Sequence, residues 1–428
     1  MRRKSRILSI SLAAWLYVML LAVPTAYAGS GVANVKARQI EGTKYVEITY
    51  DLGSTSTVTL AVSSNAGASY TVPATSLTGH IGANVLPGKK RLIVWNAGAD
   101  WNGQYSDQMR FQITTDDALA PTGTYMVVDL SGGPDASSYP VSYLSAVPAG
   151  GWSDEYRTAK LVLRRIPAGT FTMGSPTNAL GRDSDETQHR VTLTKDFYIG
   201  VFEVTQKQWE RVMGTWPSWF TNASYRETRP VERVSYYDIR ENPANIDDPA
   251  VDWPNNSAVT TNSFMGKLRA KTGLATFDLP TESQWEYACR AGTTNALNSG
   301  YDLSSISNDA RMAEVGRYYY NGGVDNLPRN VSITGGTAKV GSYLSNAWGL
   351  FDMHGNVWEW CLDWYGAYAV TATDPSGVAL GSNRVIRSGG WNYPAWTCQS
   401  ASRYYYPPRF RFHINGLGGG FRPSNTLP

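Results

Sequence analysis

The chain has 428 residues, 42% of them apolar and 17% charged, with a net charge of +3. This length suits two globular domains, and the composition excludes a coiled coil, a collagen and a largely disordered chain. The four histidines and three cysteines are scattered along the chain. They are too few for a histidine-rich metal centre, because one three-histidine site would use almost all of the histidines.

Residues 1–28 have the pattern of a secretory signal peptide. Basic residues at positions 2, 3, 4 and 6 precede the mostly apolar segment 7–23, and Ala26-Tyr27-Ala28 then offers small residues to a signal peptidase. No cysteine follows the cleavage site, so a lipid anchor is not expected. We therefore predict a secreted, periplasmic or cell-surface protein. An uncleaved membrane anchor is the alternative, although the apolar segment is shorter than a span of roughly 20 residues.

Removal of this segment changes the net charge. It takes away four of the 38 basic residues and none of the 35 acidic ones, so the charge falls from +3 to −1. A nearly neutral surface has no general attraction for nucleic acid or anionic lipid. No later segment is apolar enough to span a bilayer, so we expect no nucleic-acid partner and no transmembrane span in the mature chain.

Residues 29–115 are predicted to form a small all-β sandwich. Period-two alternation with β-branched residues marks four strands: Tyr45–Tyr50, Val58–Val62, Arg91–Trp95 and Met109–Ile113. Nothing in this domain looks like a catalytic cluster, so spacing or adhesion is its expected role. Residues 116–158 are rich in proline and glycine and are predicted to be a linker, with one strand at 125–128.

Residues 159–428 are predicted to be a second domain, rich in tryptophan and glycine. One helix is predicted over 203–213 with Thr205 as its cap, and another over 281–290. In the second helix, Thr281 and Gln284 have the spacing of a capping box. Short strands and long loops are expected elsewhere, so this domain needs aromatic packing, a disulfide or bound ions for its stability.

Six segments of the second domain carry distinctive motifs. In chain order they are Ile166–Ser175, Phe197–Ile199 with Phe202–Thr205, Pro230–Ser235, Leu279–Ala288, Asn346–Trp360 and Gly420–Arg422. Together they resemble the formylglycine-generating enzyme (sulfatase-modifying factor) family. The resemblance implies an α+β, C-type-lectin-like fold with little regular secondary structure, preceded here by the all-β sandwich.

Members of this family have different activities. They include an oxidase that converts a sulfatase cysteine to formylglycine, sulfoxide synthases of ergothioneine biosynthesis, and binding proteins whose surface is diversified by retroelements. The synthases carry a helical domain with a three-histidine iron site, which the β-rich first domain cannot supply. We therefore favour an exported, non-catalytic binding or scaffold module for an unidentified protein or small-molecule ligand. The alternative is a protein-cysteine oxidase that acts on exported sulfatases.

The family oxidase binds copper(I) through two cysteines five positions apart. The resemblance places Gly390 at the family's serine and Tyr393 at its first cysteine, whereas Cys398 matches the second. One cysteine cannot build the known copper site, so Cys398 is a candidate catalytic thiol, and Cu⁺ a cofactor, only under the oxidase alternative. The resemblance also favours a structural disulfide between Cys289 and Cys398, which would leave Cys361 as a buried thiol.

Part of the fifth motif wraps a calcium ion in the family. The resemblance assigns as ligands the side chains of Asp352 and Glu359 and the backbone carbonyls of Gly355 and Val357. These oxygen ligands suit a structural Ca²⁺. The alternative is a hairpin in which the two carboxylates cap backbone amides without an ion. His354 is expected to be a packed ring and not a ligand.

Other carboxylates are expected to be structural. The acidic turn 183–189 is interpreted as a solvated loop and not as a metal site. Glu203 and Glu282 lie in separate motifs, so no acid–base pair is expected from them. At the starts of the predicted helices, they would interact favourably with the helix dipoles.

The C-terminal region is crowded with aromatic and arginine side chains. Three consecutive tyrosines cannot all face inward from a strand, because side chains alternate between its two faces. Exposed tyrosine, tryptophan and arginine are common at binding hot spots. We therefore predict a ligand-binding surface made of Tyr393, Trp396, Tyr404, Tyr405, Tyr406, Arg409, Phe410, Phe412 and His413.

Overall fold

The structure is a computed structural model, and it describes residues 32–52, 56–85, 88–115, 123–241, 259–322, 327–411 and 419–427. The predicted signal peptide lies outside these residues. The chain divides into two compact units, one up to Thr122 and one that begins at Gly123. Within the described ranges, no helix has the length and apolar character needed to cross a membrane.

The first unit is built almost entirely of strands. These are β1 (Val32–Gln39), β2 (Tyr45–Leu52), β3 (Ser56–Ser63), β4 (Leu77–Gly79), β5 (Gly82–Val85), β6 (Gly88–Asn96) and β7 (Arg110–Thr115), with one short helix, α1 (Ala97–Asp100). One sheet has the order β1-β2-β6-β4 and the other β5-β3-β7. Ile48 and Trp95 of the first sheet share a buried core with Val58 and Ile113 of the second, which confirms the predicted all-β sandwich.

The second unit contains short elements separated by long loops. Its strands are β8 (Tyr125–Asp129), β9 (Val141–Leu144), β10 (Lys160–Ile166), β11 (Gly169–Met173), β12 (His189–Leu193), β13 (Phe197–Gly200), β14 (Phe277–Asp278), β15 (Gly316–Arg317), β16 (His354–Gly355), β17 (Trp358–Trp364), β18 (Thr371–Thr373), β19 (Arg384–Arg387), β20 (Tyr404–Tyr406), β21 (Gly419–Gly420) and β22 (Ser424–Thr426). Its α-helices are α2 (Glu155–Thr158), α3 (Gln206–Met213), α4 (Phe264–Thr272), α5 (Glu282–Arg290) and α6 (Met312–Val315). Single helical turns lie at Arg226–Thr228, Tyr237–Glu241, Tyr319–Asn321 and Ala395–Cys398.

Four sheets organise the second unit. The largest has the order β14-β22-β13-β10-β8-β9, and smaller ones are β11-β12-β18 and β15-β16. The fourth, β20-β19-β17-β21, includes the end of the fifth motif in β17 and the start of the sixth in β21. Aromatic side chains fill the space between these elements; for example, Phe264 stacks on Trp209 and meets Phe421 edge to face. This loop-rich α+β architecture agrees with the predicted fold class.

The linker prediction is wrong for residues 123–158. Its one predicted strand exists as β8, but β8 lies inside the largest sheet, between β10 and β9. Tyr125, Met126, Val127 and Val128 are all buried, because Met126 and Val128 pack in one apolar cluster and Tyr125 and Val127 in another. The second unit therefore begins well before residue 159, and residues 116–122 lie outside the described ranges.

Both predicted capping residues are confirmed. Thr205 Oγ1 accepts from the backbone N–H of Gln208 at 3.2 Å, and the Gln208 side chain accepts in return from the N–H of Thr205 at 2.9 Å. Thr281 and Gln284 form the same pair at the start of α5. Because Thr205 is the N-cap, α3 begins at Gln206 and not at residue 203 as predicted.

Candidate functional site

The three consecutive tyrosines form an edge strand of the C-terminal sheet. Strand β20 pairs antiparallel with β19, with Tyr404 opposite Ile386 and Tyr406 opposite Arg384. Strand β19 in turn pairs with β17. Within the described residues, β20 has no strand on its other side. Among these residues β20 is therefore an edge strand, the kind of strand to which an additional strand can pair.

The aromatic side chains of β20 are partly exposed, and they stack on one another and on Phe410. Tyr404 and Tyr405 are 47% and 40% exposed, and their rings stack with centroids 5.3 Å apart. Tyr406 stacks on Phe410 at 4.5 Å. Arg409 is exposed beside them and has no ion-pair partner among the described residues. We call these five residues the tyrosine edge.

The remaining residues of the predicted surface divide into three groups. Tyr393 adjoins the tyrosine edge, because Trp358 contacts both Tyr393, at 5.4 Å, and Tyr404, at 6.0 Å; burial raises the pKa of Tyr393 to about 12. Trp396 packs instead against a separate buried cluster around Leu297. Phe412 and His413 lie outside the described residues.

All three cysteines are buried free thiols, and the predicted Cys289–Cys398 disulfide is not formed. The imidazole of His354 contacts both residues: Nε2 lies 3.9 Å from Cys289 Sγ, and Nδ1 lies 2.6 Å from the carbonyl oxygen of Cys398. Cys289 Sγ also donates to Ser400 Oγ at 3.6 Å. These contacts place groups other than a second sulfur beside Cys289 and Cys398. Cys361 is buried as expected.

His354 is a structural ring, as predicted. The backbone N–H of Asn298 donates to Nε2 at 3.0 Å, so the proton is assigned to Nδ1, which donates to Cys398. Burial lowers the pKa of His354 to about 4. Burial also raises the pKa of the Cys398 thiol to about 12. A buried neutral thiol is a poor nucleophile and a poor copper ligand, because both roles require the thiolate.

This burial leads to a prediction for thiol chemistry. In the native protein, we expect none of the three cysteines to react with a maleimide within minutes, and all three to react after denaturation without a reductant. Mass spectrometry of the intact protein measures both results. Rapid labelling of Cys398 in the native state, or a pair of cysteines that reacts only after reduction, would contradict the prediction.

The predicted calcium segment is a tight loop held by buried carboxylates. Asp352 and Asn356 have φ values of +55° and +60°. Asp352 Oδ2 accepts from the N–H of Gly341 at 2.6 Å, whereas Oδ1 is buried without a hydrogen-bond partner. Burial, opposed in part by Arg422, raises the pKa of Asp352 to about 6. An oxygen without a partner in such a loop fits one ligand of a cation.

Glu359, another predicted ligand, already has hydrogen-bond partners within the protein. Arg422 donates to both of its carboxylate oxygens, at 2.6 and 2.7 Å, and the indole N–H of Trp285 donates at 2.8 Å. Among the described residues, no three His, Cys, Asp or Glu side chains form a group that could hold a metal ion. Since the predicted ligands are two carboxylates and two backbone carbonyls, they would not form such a group, and the calcium site stays a prediction that depends most on Asp352.

A thermal-shift experiment tests the calcium prediction. If Asp352 ligates Ca²⁺, millimolar CaCl₂ is expected to raise the melting temperature, since a ligand that binds only the folded state stabilises it. The increase should disappear in Asp352→Asn and persist in Asp135→Asn, which changes an exposed carboxylate. An unchanged melting temperature in the wild type would overturn the prediction.

Glu203 has a different role from the one predicted. It lies outside α3, and its carboxylate accepts from Asn356 Nδ2 at 2.7 Å and from the N–H of Val357 at 3.2 Å. Burial, with Asp352 and Glu359 nearby, raises its pKa well above the ordinary value. Glu203 therefore stabilises the loop of the fifth motif and does not act on a helix dipole.

A buried ionic cluster was not predicted from the sequence. Arg387 donates to Glu286 and, at 3.3 Å, to Glu282. Arg290 donates to Glu286 at 2.8 Å, and Arg403 donates to both oxygens of Glu282. The cluster fixes α5 to β19 and to the start of β20. The Glu282–Glu286–Arg290 spacing on one helix face was the available signal, but it does not identify the arginines that come from other elements.

Comparison with known proteins agrees with this architecture. The model of the sulfatase-modifying factor enzyme 1-like domain matches residues 153–418, more than half of the chain. The chain belongs to the sulfatase-modifying factor enzyme 1-like domain family. This membership confirms the resemblance drawn from the six motifs, and the match covers β17, β19 and β20 of the C-terminal sheet together with the buried ionic cluster.

Individual proteins are similar to the chain at moderate identity. The chaperone protein LppX of Paenibacillus barcinonensis is 33% identical over 252 residues, which cover 55% of this chain and 81% of that protein. The formylglycine-generating enzyme of Mus musculus is 28% identical over 277 residues, or 56% of this chain and 68% of that protein. Among solved structures, Treponema denticola variable protein 1 is 26% identical with a TM-score of 0.46, and covers 63% of this chain and 96% of that chain.

Proposed function

We propose that the second unit is a binding module that holds a segment of another polypeptide against the tyrosine edge. The observation that carries this proposal is the pair of stacked, exposed rings of Tyr404 and Tyr405 on an edge strand. An open strand edge offers backbone donors and acceptors to an extended peptide, and aromatic side chains supply contact area. Arg409 adds a positive charge that favours an acidic side chain on the partner.

Two further observations support this proposal. The relative from Paenibacillus barcinonensis is named a chaperone protein, a name that agrees with a polypeptide partner. The basic and apolar pattern of residues 1–28 supports a location outside the cytosol. A chaperone or scaffold role needs binding without a reaction, which an exposed aromatic edge can supply.

The oxidase alternative is favoured by the relatives named formylglycine-generating enzyme. The cysteine geometry weighs against it, because Cys398 is a buried thiol and Tyr393 occupies the position that matches the family's first cysteine. This alternative requires Cu⁺ binding and conversion of a cysteine in a sulfatase-derived peptide to formylglycine, both of which Cys398→Ser should abolish. Absence of conversion by the wild type after copper(I) loading would exclude it.

A peptide array tests the binding proposal. The full chain is applied to immobilised 15-residue peptides, and affinities for the bound peptides are then measured in solution. We expect Tyr405→Ala to weaken binding by about tenfold or more, because exposed tyrosines at the centre of an interface contribute strongly. Circular dichroism checks that the variant remains folded.

The matched control is Tyr301→Ala. Tyr301 belongs to the same unit and is 50% exposed, close to the 40% of Tyr405, but it lies outside the tyrosine edge. Its substitution should leave peptide affinity unchanged. Equal losses in both variants, or no bound peptide on the array, would count against the proposal.

A further inference from the structure

A small cavity of about 250 Å³ lies where the start of α5, the end of β17 and the loop 366–378 meet. None of the residues of the tyrosine edge lines it. Its polar lining includes His189, Glu282, Ser283, Asp363, Tyr368 and Arg403, and its apolar lining includes Met173 and Val378. The volume is enough for a small organic molecule.

Glu282 and Arg403 form an ion pair with each other, so their charges are already balanced within the protein. Arg403 donates to the two oxygens of Glu282 at 2.8 and 2.7 Å, and its third nitrogen donates to the carbonyl oxygen of Gly366 at 3.0 Å. The hydroxyl of Tyr368 also donates to Glu282, at 2.9 Å. Each guanidinium nitrogen of Arg403 makes a hydrogen bond within the protein and Glu282 balances its charge, so Arg403 is not a free cation for an anionic ligand.

Asp363 is different, because one of its oxygens lacks a partner. The side chain is buried, with the residue 3% exposed. Oδ2 accepts from the N–H of Glu282 at 2.7 Å, and the described residues provide no hydrogen bond to Oδ1. Burial and the nearby Glu282 raise the pKa of Asp363 to about 7, against the lowering effect of Arg403 and Arg384. This carboxyl group therefore has no full counter-charge in the protein.

Gly377 leaves space beside the Asp363 carboxylate, and His189 provides a second hydrogen-bond acceptor in the cavity. Gly377 has a φ of +79°, and a Cβ there would lie 3.2 Å from Asp363 Oδ1. His189 Nδ1 lies 3.0 Å from the carbonyl oxygen of Thr187, which assigns the proton to Nδ1 and leaves Nε2 as an acceptor. Asp363 Oδ1 and His189 Nε2 are thus two acceptors in a cavity whose walls are partly apolar.

We propose that this cavity binds a small organic ammonium ion, whose N–H groups donate to Asp363 and His189 and whose alkyl chain contacts Met173 and Val378. An ammonium ion supplies both the charge and the donors that Asp363 lacks. The apolar walls favour an alkylammonium over a hydrated metal ion, which would lose its water there. This proposal is independent of the proposed peptide binding.

Calorimetric titration of the full chain at pH 8 with three matched probes tests the proposal. We expect n-butylammonium to bind at least about tenfold more tightly than n-butanol, as expected for a charged hydrogen bond, and butyrate not to bind. Asp363→Asn should remove this preference while keeping an acceptor for the N–H of Glu282. Asp135→Asn should retain it, and so should Tyr405→Ala, which separates this site from the tyrosine edge.

Other results would overturn the proposal. These are equal affinity for n-butylammonium and n-butanol, preference for butyrate, or competition by CaCl₂ or NaCl beyond that of a tetramethylammonium chloride control of equal ionic strength. If Asp363→Asn fails to fold, Ala372→Leu provides a second variant, because Ala372 lines the cavity and the larger side chain should block it. Unchanged n-butylammonium binding in Ala372→Leu would also count against the site.

Discussion

Arg387→Met is expected to destabilise the second unit by about 3–5 kcal/mol, the cost of removing one partner from a buried ion pair. The Arg387 side chain is fully buried and donates to Glu286 and Glu282 and to the carbonyl oxygens of Ala401 and Ser400. Methionine keeps an unbranched side chain but has no hydrogen-bond donor, so the carboxylates and carbonyls would remain buried with fewer partners. Urea unfolding followed by tryptophan fluorescence measures the change.

The control for this substitution is Arg165→Met. Arg165 also pairs with a carboxylate, that of Asp196, but the two side chains are 39% and 28% exposed. Water can solvate both groups after the substitution, so the expected loss is about 1 kcal/mol or less. Similar losses for the two variants would mean that the buried cluster contributes no more than a surface ion pair.

Gly355→Ala is expected to destabilise the second unit by about 2–5 kcal/mol, from the strained backbone and the overpacking together. Gly355 has a φ of +79°, and a Cβ at this position would lie 2.0 Å from the carbonyl oxygen of Arg317. That oxygen belongs to β15, which pairs with β16, so it cannot move without breaking their pairing. The melting temperature should fall accordingly.

Gly300→Ala separates the two causes. Gly300 has a similar φ of +85°, but a Cβ there meets no atom within 4 Å. Only the conformational penalty remains, about 1–2 kcal/mol. If both alanine variants melt at the same temperature, the close approach between Gly355 and Arg317 is not a real constraint.

Local features of the fold could be predicted from the sequence. Each capping box depends on residues three positions apart, so Thr205 and Thr281 indicated where α3 and α5 begin. The strands of the first unit alternate in polarity because each sheet has one buried face. The strand at β8 was also recognised, but its place in the largest sheet was not, because nothing local distinguishes a strand in a linker from one that pairs with β10.

Features that depend on distant contacts could not be predicted in the same way. The resemblance suggested a disulfide between Cys289 and Cys398. The position of His354 between Cys289 and the backbone of Cys398 depends on the folded chain. Glu203 was assigned to a helix dipole, whereas its partners are more than 150 positions away. No sequence pattern indicated a role for Asp363, because the hydrogen-bond partners of its carboxylate oxygens depend on the packing of the folded chain.

The order of the largest sheet has a consequence for synthesis of the chain on the ribosome. Strand β22 pairs with β13 on one side and with β14 on the other, although residues 279–423 are translated between β14 and β22. Until residues 424–426 leave the exit tunnel, β13 and β14 each lack a neighbour. The nascent second unit therefore exposes one edge of β13 until residues 424–426 emerge from the ribosome, and we expect native protease resistance to appear only after that point.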